Sequence, residues 1–345
     1  MFGFFSVFNS DAIKDMTLYK GGIPAQYGGR ASSVLDVYMK DGNKKDYSVS
    51  GGIGLISSRL TVEGPVIKDK SSFIVSARRT YADLIVKSLG IEDFKDLKLY
   101  FWDLNAKLNY TINQSNRIFV SGYFGRDFFG MSDMAGFNWG NATGTLRWNH
   151  SFKSKLFSNT SLIFSKYDYA FDINRSVVKF SLGSGIIDYN IKQDFTFYLN
   201  PNNTMHFGLN GIYHIFSPGE LVSDSESFNN LLMPKRYGLE TGVYFSNDQK
   251  ISEVFSLNYG LRYSNFTQLG EGMVYTYDQE NKRTDSTYYG KNKKIIRYHG
   301  LEPRISATYM LNESSSVKAS YNRMFQYMHL LSNSTSSTPT DLWMP

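Results

Sequence analysis

Regular alternation of apolar and polar residues recurs along this chain and constrains its fold more than any other feature. In residues 256–264, Leu257, Tyr259, Leu261 and Tyr263 alternate with polar or small residues, and 103–110, 206–215 and 304–311 repeat the pattern. Successive side chains of a β-strand point to opposite faces, so each stretch predicts a strand with one apolar and one polar face. The chain is therefore predicted to be all-β.

Thirteen such strands are predicted, and their length argues against a soluble sandwich. They are about 10–15 residues long, whereas strands of globular proteins have about 5–6. A transmembrane β-barrel needs such lengths, and it also gathers aromatic residues at strand ends, as Phe124, Phe128 and Phe129 indicate here. The predicted strands are 46–56, 57–66, 70–80, 98–112, 116–127, 141–152, 155–171, 177–199, 203–217, 236–249, 254–268, 295–311 and 315–329.

The connections at one end of the predicted strands are short, whereas those at the other end are mostly long. One set is short and polar: 67–71, 111–115, 150–154, 200–203, 248–253 and 312–315. The other set is mostly long (81–97, 128–140, 218–235 and 269–294), with 172–176 as a short exception, and 81–97 is interpreted as loop structure with a possible short helix. Short turns at one end and long extracellular loops at the other are typical of outer-membrane barrels.

Composition agrees with a barrel and excludes several other classes. The mean hydropathy is −0.33 and no run approaches the ~18 apolar residues of a membrane-spanning helix, so the chain could enter a membrane only as strands. Without cysteine it has no disulfide and no thiolate metal site. The net charge is +6, but the basic residues are scattered and the densest run, Lys291–Lys294, lies in a loop. A nucleic-acid partner is therefore not expected.

The sequence also gives little sign of catalysis. Gly52 and Gly54 begin a dinucleotide-like pattern, but Ser57 takes the third position and the context is a strand. His206 and His214 share a strand face but are about 26 Å apart, too far to share a metal ion. We therefore expect no enzyme activity, no cofactor and no metal site.

The segment before the first strand resembles the end of the plug domain of TonB-dependent outer-membrane receptors. The resemblance rests on Asp11-Ala12-Ile13, Lys20-Gly21, Pro24-Ala25-Gln26-Tyr27-Gly28-Gly29-Arg30 and Lys40-Asp41-Gly42. Further stretches are similar to a Bacteroidetes-type subgroup: Glu63-Gly64-Pro65, Leu301-Glu302-Pro303-Arg304, 326–333 and Asp341-Leu342-Trp343-Met344-Pro345.

This resemblance implies two parts, the C-terminal part of a plug in residues 1–45 and the N-terminal part of a transmembrane β-barrel in 46–345. The plug motif would be Lys20, Gly21, Pro24, Tyr27, Gly28, Gly29 and Arg30. Its glycines permit positive φ and close backbone approach, and Arg30 could bridge to carboxylates of the lumen. A Gly-rich hairpin with a surface arginine is the simpler alternative for the motif taken alone.

The family has 22 strands, a signal peptide and a TonB box, so about thirteen strands imply a chain truncated at both ends. We expect an open antiparallel sheet whose edges, 47–55 and 317–327, do not pair with each other. Leu104, Leu108, Tyr110, Leu257, Tyr259 and Leu261 are predicted to face lipid, and Asn105, Lys107, Asn258 and Arg262 the lumen.

The resemblance implies energy-coupled uptake of a scarce nutrient such as a siderophore, cobalamin or oligosaccharide. The expected partners are the TonB protein, which would act through a box absent from this sequence, outer-membrane lipid, the nutrient and, in some such systems, a surface lipoprotein. Phe137, Trp139 and Phe228 are candidate ligand-contacting residues on the predicted loops. A passive porin-like barrel and a soluble β-rich binding module are the alternatives, and the plug segment favours the transporter over the porin.

Overall fold

The computed structural model describes residues 9–88, 90, 96–131, 135–174, 179–223, 231–331 and 342–344. Its strands are β1 (Ile13–Tyr19), β2 (Val34–Met39), β3 (Ser48–Ile53), β4 (Ser57–Ile67), β5 (Ser71–Thr80), β6 (Leu97–Asn113), β7 (Asn116–Met131), β8 (Ala135–Ser151), β9 (Leu156–Asn174), β10 (Lys179–Asn200), β11 (Asn203–Ser223), β12 (Leu231–Leu232), β13 (Arg236–Lys250), β14 (Phe255–Leu269), β15 (Gly272–Tyr277), β16 (Arg283–Tyr289), β17 (Lys294–Asn312), β18 (Ser315–Asn322), β19 (His329–Leu331) and β20 (Leu342–Met344). One helix, α1 (Ala82–Ser88), is present in these ranges. It is not long and apolar enough to cross a membrane.

One large antiparallel sheet contains most of the chain. Thirteen strands form a continuous path, in the order β18-β17-β14-β13-β11-β10-β9-β8-β7-β6-β5-β4-β3, and the two-residue β12 pairs with β11 beside it. β3 and β18 are the two edges and do not pair with each other. The predicted open, all-β architecture is therefore confirmed, and neighbours along the sheet are neighbours along the chain because each strand returns through a turn beside the last.

The two faces of this sheet follow the predicted alternation. Leu104, Leu108 and Leu261 are exposed on one face, while Asn105 and Arg262 are buried on the other. Most of the buried polar side chains belong to the face that contacts residues 9–44, which we call the inner face, and the opposite face is the outer face. Because a shift of one residue would exchange the faces, this confirms the predicted register of β6 and β14.

An N-terminal hairpin lies against the inner face as a separate sheet. β1 and β2 pair with each other antiparallel, from Ile13↔Met39 to Tyr19↔Val34, and pair with no strand of the large sheet. The intervening residues 20–33 form a loop, which we call the hairpin loop. The segment is therefore neither an additional wall strand nor a free tail.

Several strands extend further than predicted at the end with the long connections, the long-loop end. β7 and β8 reach Met131 and Ala135, so most of the predicted loop 128–140 is strand. Residues 269–294 contain a second hairpin, β15–β16, that pairs only with itself. Loop-length estimates fail here because a strand that leaves the membrane can keep its ladder of hydrogen bonds in water.

The last predicted strand, 315–329, ends early, at Asn322. The following residues 323–328, which we call the strap, turn onto the inner face. There Tyr327 and Met328 form an apolar cluster with Phe216 and Phe266, and Phe325 packs against it. Burial of these apolar side chains outweighs continuation of an edge strand that has no second neighbour to pair with.

Candidate functional site

The hairpin loop touches the wall through glycines that leave no room for side chains. A Cβ at Gly28 would overlap the Arg262 guanidinium, and one at Gly29 would overlap the Glu240 carboxylate. Gly22 and Gly29 also have positive φ, 61° and 78°. Glycine adopts such conformations at little steric cost, so these residue types allow the backbone itself to contact the wall.

An arginine of the wall holds the hairpin loop by its backbone. Arg304 on β17 donates from Nη1 to the Pro24 carbonyl at 2.6 Å and to the Ile23 carbonyl at 3.4 Å. Its Nη2 donates to Glu302 Oε2 at 2.6 Å, and both side chains are almost completely buried. Charge-assisted hydrogen bonds are the strongest of their kind, so Arg304 is the main polar link between wall and loop.

Arg304 is one end of a row of charged residues that crosses five neighbouring strands, and all of them are buried except the half-buried Asp188. In strand order, this charged belt contains Asp188 (β10), His214 (β11), Glu240 (β13), Arg262 (β14) and the pair Glu302–Arg304 (β17). Nδ1 of His214 lies 2.7 Å from Asp188 Oδ1, and its Nε2 lies 3.8 Å from Glu240 Oε2. Arg262 donates to Asn210 Oδ1 at 2.7 Å.

The charged belt has unused hydrogen-bonding capacity. Among the described residues, Nε and Nη1 of Arg262, Oε1 of Glu302, Nε of Arg304 and Nε2 of His214 are buried without a hydrogen-bond partner. Unpaired buried polar atoms cost free energy and are rare in native structures. The belt therefore holds the hairpin loop by a few strong contacts and keeps further atoms available for a polar partner.

The other end of the hairpin segment is fixed to β4–β6. Asn9 donates to Ser76 Oγ at 2.8 Å, Arg59 lies 3.3 Å from Asp11, and Lys107 lies 2.7 Å from Asp41. The hairpin is thus held near both edges of the sheet and spans the space between them.

Tyr27 links the hairpin loop to the hairpin's own strands and to the middle of the wall. Its hydroxyl donates to Asp36 Oδ2 at 2.6 Å, and Lys192 of β10 lies 5.7 Å from its ring centroid. Burial, together with the hydrogen bond to Asp36, raises the pKa of Tyr27 well above its usual value. The docked loop therefore favours the neutral hydroxyl.

The structure brings together some of the predicted motif residues and separates others. Pro24, Tyr27, Gly28 and Gly29 contact the wall or the hairpin as described above, and Gly21 lies beside Ser320. Lys20 is exposed. Arg30 is exposed too, and its Nη1 donates to the Gly29 carbonyl at 2.7 Å.

The expected carboxylate partner of Arg30 is not found: within the described residues no acidic oxygen lies within 4.0 Å of it. The arrangement of charges between the hairpin loop and the wall is the reverse of the predicted one. The wall carries the arginines that reach the loop, and the wall carboxylates Glu240 and Glu302 face His214 and Arg304. Sequence reasoning missed this belt, although charged residues at inner-face positions in mid-strand, as in Leu301-Glu302-Pro303-Arg304, were a usable signal.

Two of the candidate ligand-contacting residues lie on a strand, contrary to the prediction of a loop. Phe137 and Trp139 belong to β8, and the register places them on the inner face with Tyr169 of β9. The ring centroids are 5.1 Å apart for Phe137–Trp139 and 5.8 Å for Phe137–Tyr169. These three rings therefore form an aromatic surface on the inner face of the sheet. Phe228 lies outside the described residues.

An open antiparallel wall of long strands, apolar outside and polar inside, with a separate hairpin held on the inner face, defines an outer-membrane β-barrel with inserted structure. The family described as "TonB dependent receptor-like, beta-barrel" matches residues 82–341. The chain belongs to this family, whose members are barrels of the Gram-negative outer membrane.

Solved structures of receptors and transporters share the fold. The FrpB iron transporter from Neisseria meningitidis (F5-1 variant) is 12% identical, with a TM-score of 0.61, covering 91% of this chain and 53% of its own. The copper transporter OprC is 10% identical, with a TM-score of 0.65 and coverages of 90% and 52%.

A third structure, the alcaligin outer-membrane receptor FauA from Bordetella pertussis, is 12% identical, with a TM-score of 0.63 and coverages of 97% and 53%. The chain thus spans about half the length of the structures it matches. No curated protein sequence matches it.

Proposed function

We propose that this chain is the plug-to-barrel part of a receptor that imports a scarce nutrient across the outer membrane in a TonB-dependent step. Residues up to 45 would be the end of the plug domain and the remainder the first strands of the barrel. The observation that carries the proposal is the hairpin loop docked on the charged belt. A plug must block the lumen at rest and must be displaced during transport. A few strong hydrogen bonds hold the hairpin loop at rest. Because other polar atoms of the charged belt are unpaired, only these few bonds must break for the loop to leave.

The proposed mechanism follows from this arrangement. Ligand would be captured from outside by the long-loop end and by inner-face aromatics such as Phe137 and Trp139. TonB would then pull on a segment N-terminal to the residues present here, using the proton-motive force, and the hairpin loop would leave the belt. The nutrient is a siderophore, cobalamin or oligosaccharide, and a surface lipoprotein would assist in the last case. A passive porin-like barrel is disfavoured because it needs no segment docked across its lumen.

A disulfide staple tests whether the hairpin loop must leave the wall. These 345 residues contain no cysteine, so introduced pairs are unambiguous once any cysteine elsewhere in the complete receptor is replaced by serine. A Cβ at Gly21 would lie 3.5 Å from Ser320 Oγ, which suits a Gly21→Cys/Ser320→Cys bridge. The matched control is Ser306→Cys/Ser320→Cys, which joins two residues paired across β17 and β18 and leaves the loop free.

Uptake should be measured in cells that carry the complete gene, with and without a reducing agent and a protonophore. The loop staple should abolish uptake until it is reduced, the control staple should not, and the protonophore should stop uptake by the unstapled receptor. Uptake that survives both the loop staple and the protonophore would establish the passive barrel instead.

A further inference from the structure

The outer face of β17 fixes the height of the membrane on this wall. Its outer-face residues from Leu311 to Leu301 are apolar and include the exposed Ile305 and Tyr309. Ten residues at about 3.4 Å, tilted by about 40°, span about 26 Å along the membrane normal. This equals the apolar band of about 25 Å typical of outer-membrane barrels. The next outer-face residues, His299 and Arg297, therefore lie at the level of the outer-leaflet headgroups.

At this level a line of polar contacts runs across three strands of the outer face. Asn265 of β14 donates to Thr241 Oγ1 of β13 at 3.2 Å and accepts a hydrogen bond from Nε of Arg297 on β17. Arg297 is exposed and has no ion pair with any described residue. The contact through Nε orients the guanidinium and leaves its two Nη groups for a ligand.

The turn that leads into β17 adds three more cations beside Arg297. Lys291, Lys293 and Lys294 are exposed, and within the described residues none of them forms an ion pair. The turn is fixed across the rim, because Tyr213 of β11 donates to Asn292 Oδ1 at 3.2 Å and the Lys293 carbonyl accepts from the Gly270 amide at 2.7 Å. This run is therefore held over the outer-face side of the wall.

Aromatic rings lie next to these cations, since the strand register places Tyr213 in the row of Arg297 and Tyr237 in the row of Lys294. The Tyr213 and Tyr237 rings are stacked 6.2 Å apart, and Tyr263 contacts His299 at 5.9 Å. Tyrosines and similar amphipathic rings concentrate where the acyl chains meet the headgroups. The cations thus lie at an interfacial ring layer, close to the level at which lipid phosphates are found.

Unpaired outer-face cations elsewhere at the long-loop end, such as Arg79 and Lys179, are single, whereas four cluster here. At the long-loop end of β7–β9, the outer face also carries cations, but Arg126 lies 2.9 Å and Lys166 3.3 Å from Asp168. Those charges neutralise each other within the protein. Within the described residues no acidic oxygen lies within 4.0 Å of the basic groups of the patch on β17.

We propose that Lys291, Lys293, Lys294 and Arg297 form a binding site for the phosphate group of an outer-leaflet lipid. A guanidinium held at one nitrogen can engage phosphate through its other two, and lysines supply further charge without demanding a fixed geometry. The acyl chains of the lipid would lie along Leu301 and the residues below it. The site depends on the outer-membrane location and not on the transport step.

The test compares two variants that lose the same charge. Lys294→Gln/Arg297→Gln removes one lysine and one arginine from the patch, and Lys282→Gln/Arg283→Gln removes the same pair from the tip of β15–β16. Each complete receptor is purified in detergent with a phosphorylated outer-leaflet glycolipid or with its dephosphorylated form. Native mass spectrometry then measures the lipid retained per chain.

The patch variant should retain the phosphorylated lipid about 10- to 30-fold less well, because each basic residue at a membrane surface contributes a several-fold preference for anionic lipid. The tip variant and the dephosphorylated lipid should show no such difference. Equal retention by both variants, or an equal loss with either lipid, would overturn the proposal.

Inorganic phosphate separates a lipid site from a site for free anions. At low millimolar concentration it should leave the lipid bound, since acyl contacts add to the affinity. Complete displacement would show an anion site and refute a lipid one. If the double variant does not fold, Lys294→Gln alone, at the exposed first residue of β17, should still lower retention about threefold.

Discussion

Arg304 provides the sharpest test of how the hairpin loop is held. Its guanidinium joins Glu302 to the Pro24 and Ile23 carbonyls, and its side chain is 1% exposed. Arg304→Met keeps most of the volume but leaves Glu302 buried and unpaired, which costs about 3–5 kcal/mol of barrel stability. The substitution also removes two charge-assisted hydrogen bonds to the loop, the short one to the Pro24 carbonyl and the long one to the Ile23 carbonyl. Together they contribute about 2–3 kcal/mol.

The two effects separate in a double variant. Arg304→Met/Glu302→Gln removes the unpaired charge, so barrel stability, measured by urea unfolding, should recover by more than half. Loop docking should not recover, because the donor to Pro24 is missing in both variants. A loss of about 2 kcal/mol raises the undocked fraction about 30-fold.

Loop docking can be followed in an Ala25→Cys background, because Ala25 is 1% exposed and the chain has no other thiol. A maleimide should label this position only when the loop leaves the wall, at a rate proportional to the undocked fraction. Both arginine variants should label about 30-fold faster than the parent. If the labelling rate is unchanged while barrel stability falls, Arg304 stabilises only the wall, and the proposed link to the hairpin loop is wrong.

Three further perturbations test the same structure. Leu261→Arg, on the outer face, should cost about 2–4 kcal/mol of stability by urea unfolding, whereas Asn258→Arg on the inner face should cost little. Gly29→Ala should weaken loop docking by at least about 1–2 kcal/mol, since φ is 78° there and the added Cβ would also overlap the Glu240 carboxylate. Gly21→Ala should be nearly neutral in the same labelling assay. Burial raises the pKa of Tyr27 above its free value of 10.0, so docking should be full below about pH 10 and weaken as the pH rises further. Fluorescence of a dye on the hairpin loop should show this alkaline release in the parent and a flatter profile in Tyr27→Phe.

Strand existence was predictable because it depends on a local pattern. The period-two alternation placed all thirteen strands of the wall, and it assigned Leu261 and Arg262 to opposite faces. Strand ends were less predictable, as β8 shows by starting at Ala135 rather than near 141. Where a strand stops depends on whether its neighbour continues the ladder, and this is information carried by another part of the chain.

The candidate site was predictable only in part, and for a similar reason. The glycines of the hairpin loop predict close backbone contact, but the residues that they contact lie more than 200 positions away in sequence. The sequence predicts a lumen carboxylate as the partner of Arg30 because a guanidinium engages carboxylates bidentately, whereas in the structure Arg262 and Arg304 of the wall contact the loop. The chemistry of one side chain does not identify its partner when many charged residues face a common interior.

The sequence by itself determined the class of the protein, its outer and inner faces and the presence of a glycine-rich segment before the wall. These follow from periodicity and residue type, which act over a few neighbouring positions. Only the tertiary structure decided that five strands align Asp188, His214, Glu240, Arg262 and Arg304 into one belt. It also decided that the strap turns inward at Arg323 and that the lysine turn lies beside outer-face tyrosines. Each of these depends on inter-strand register, since the relative height of residues on neighbouring strands sets which side chains meet.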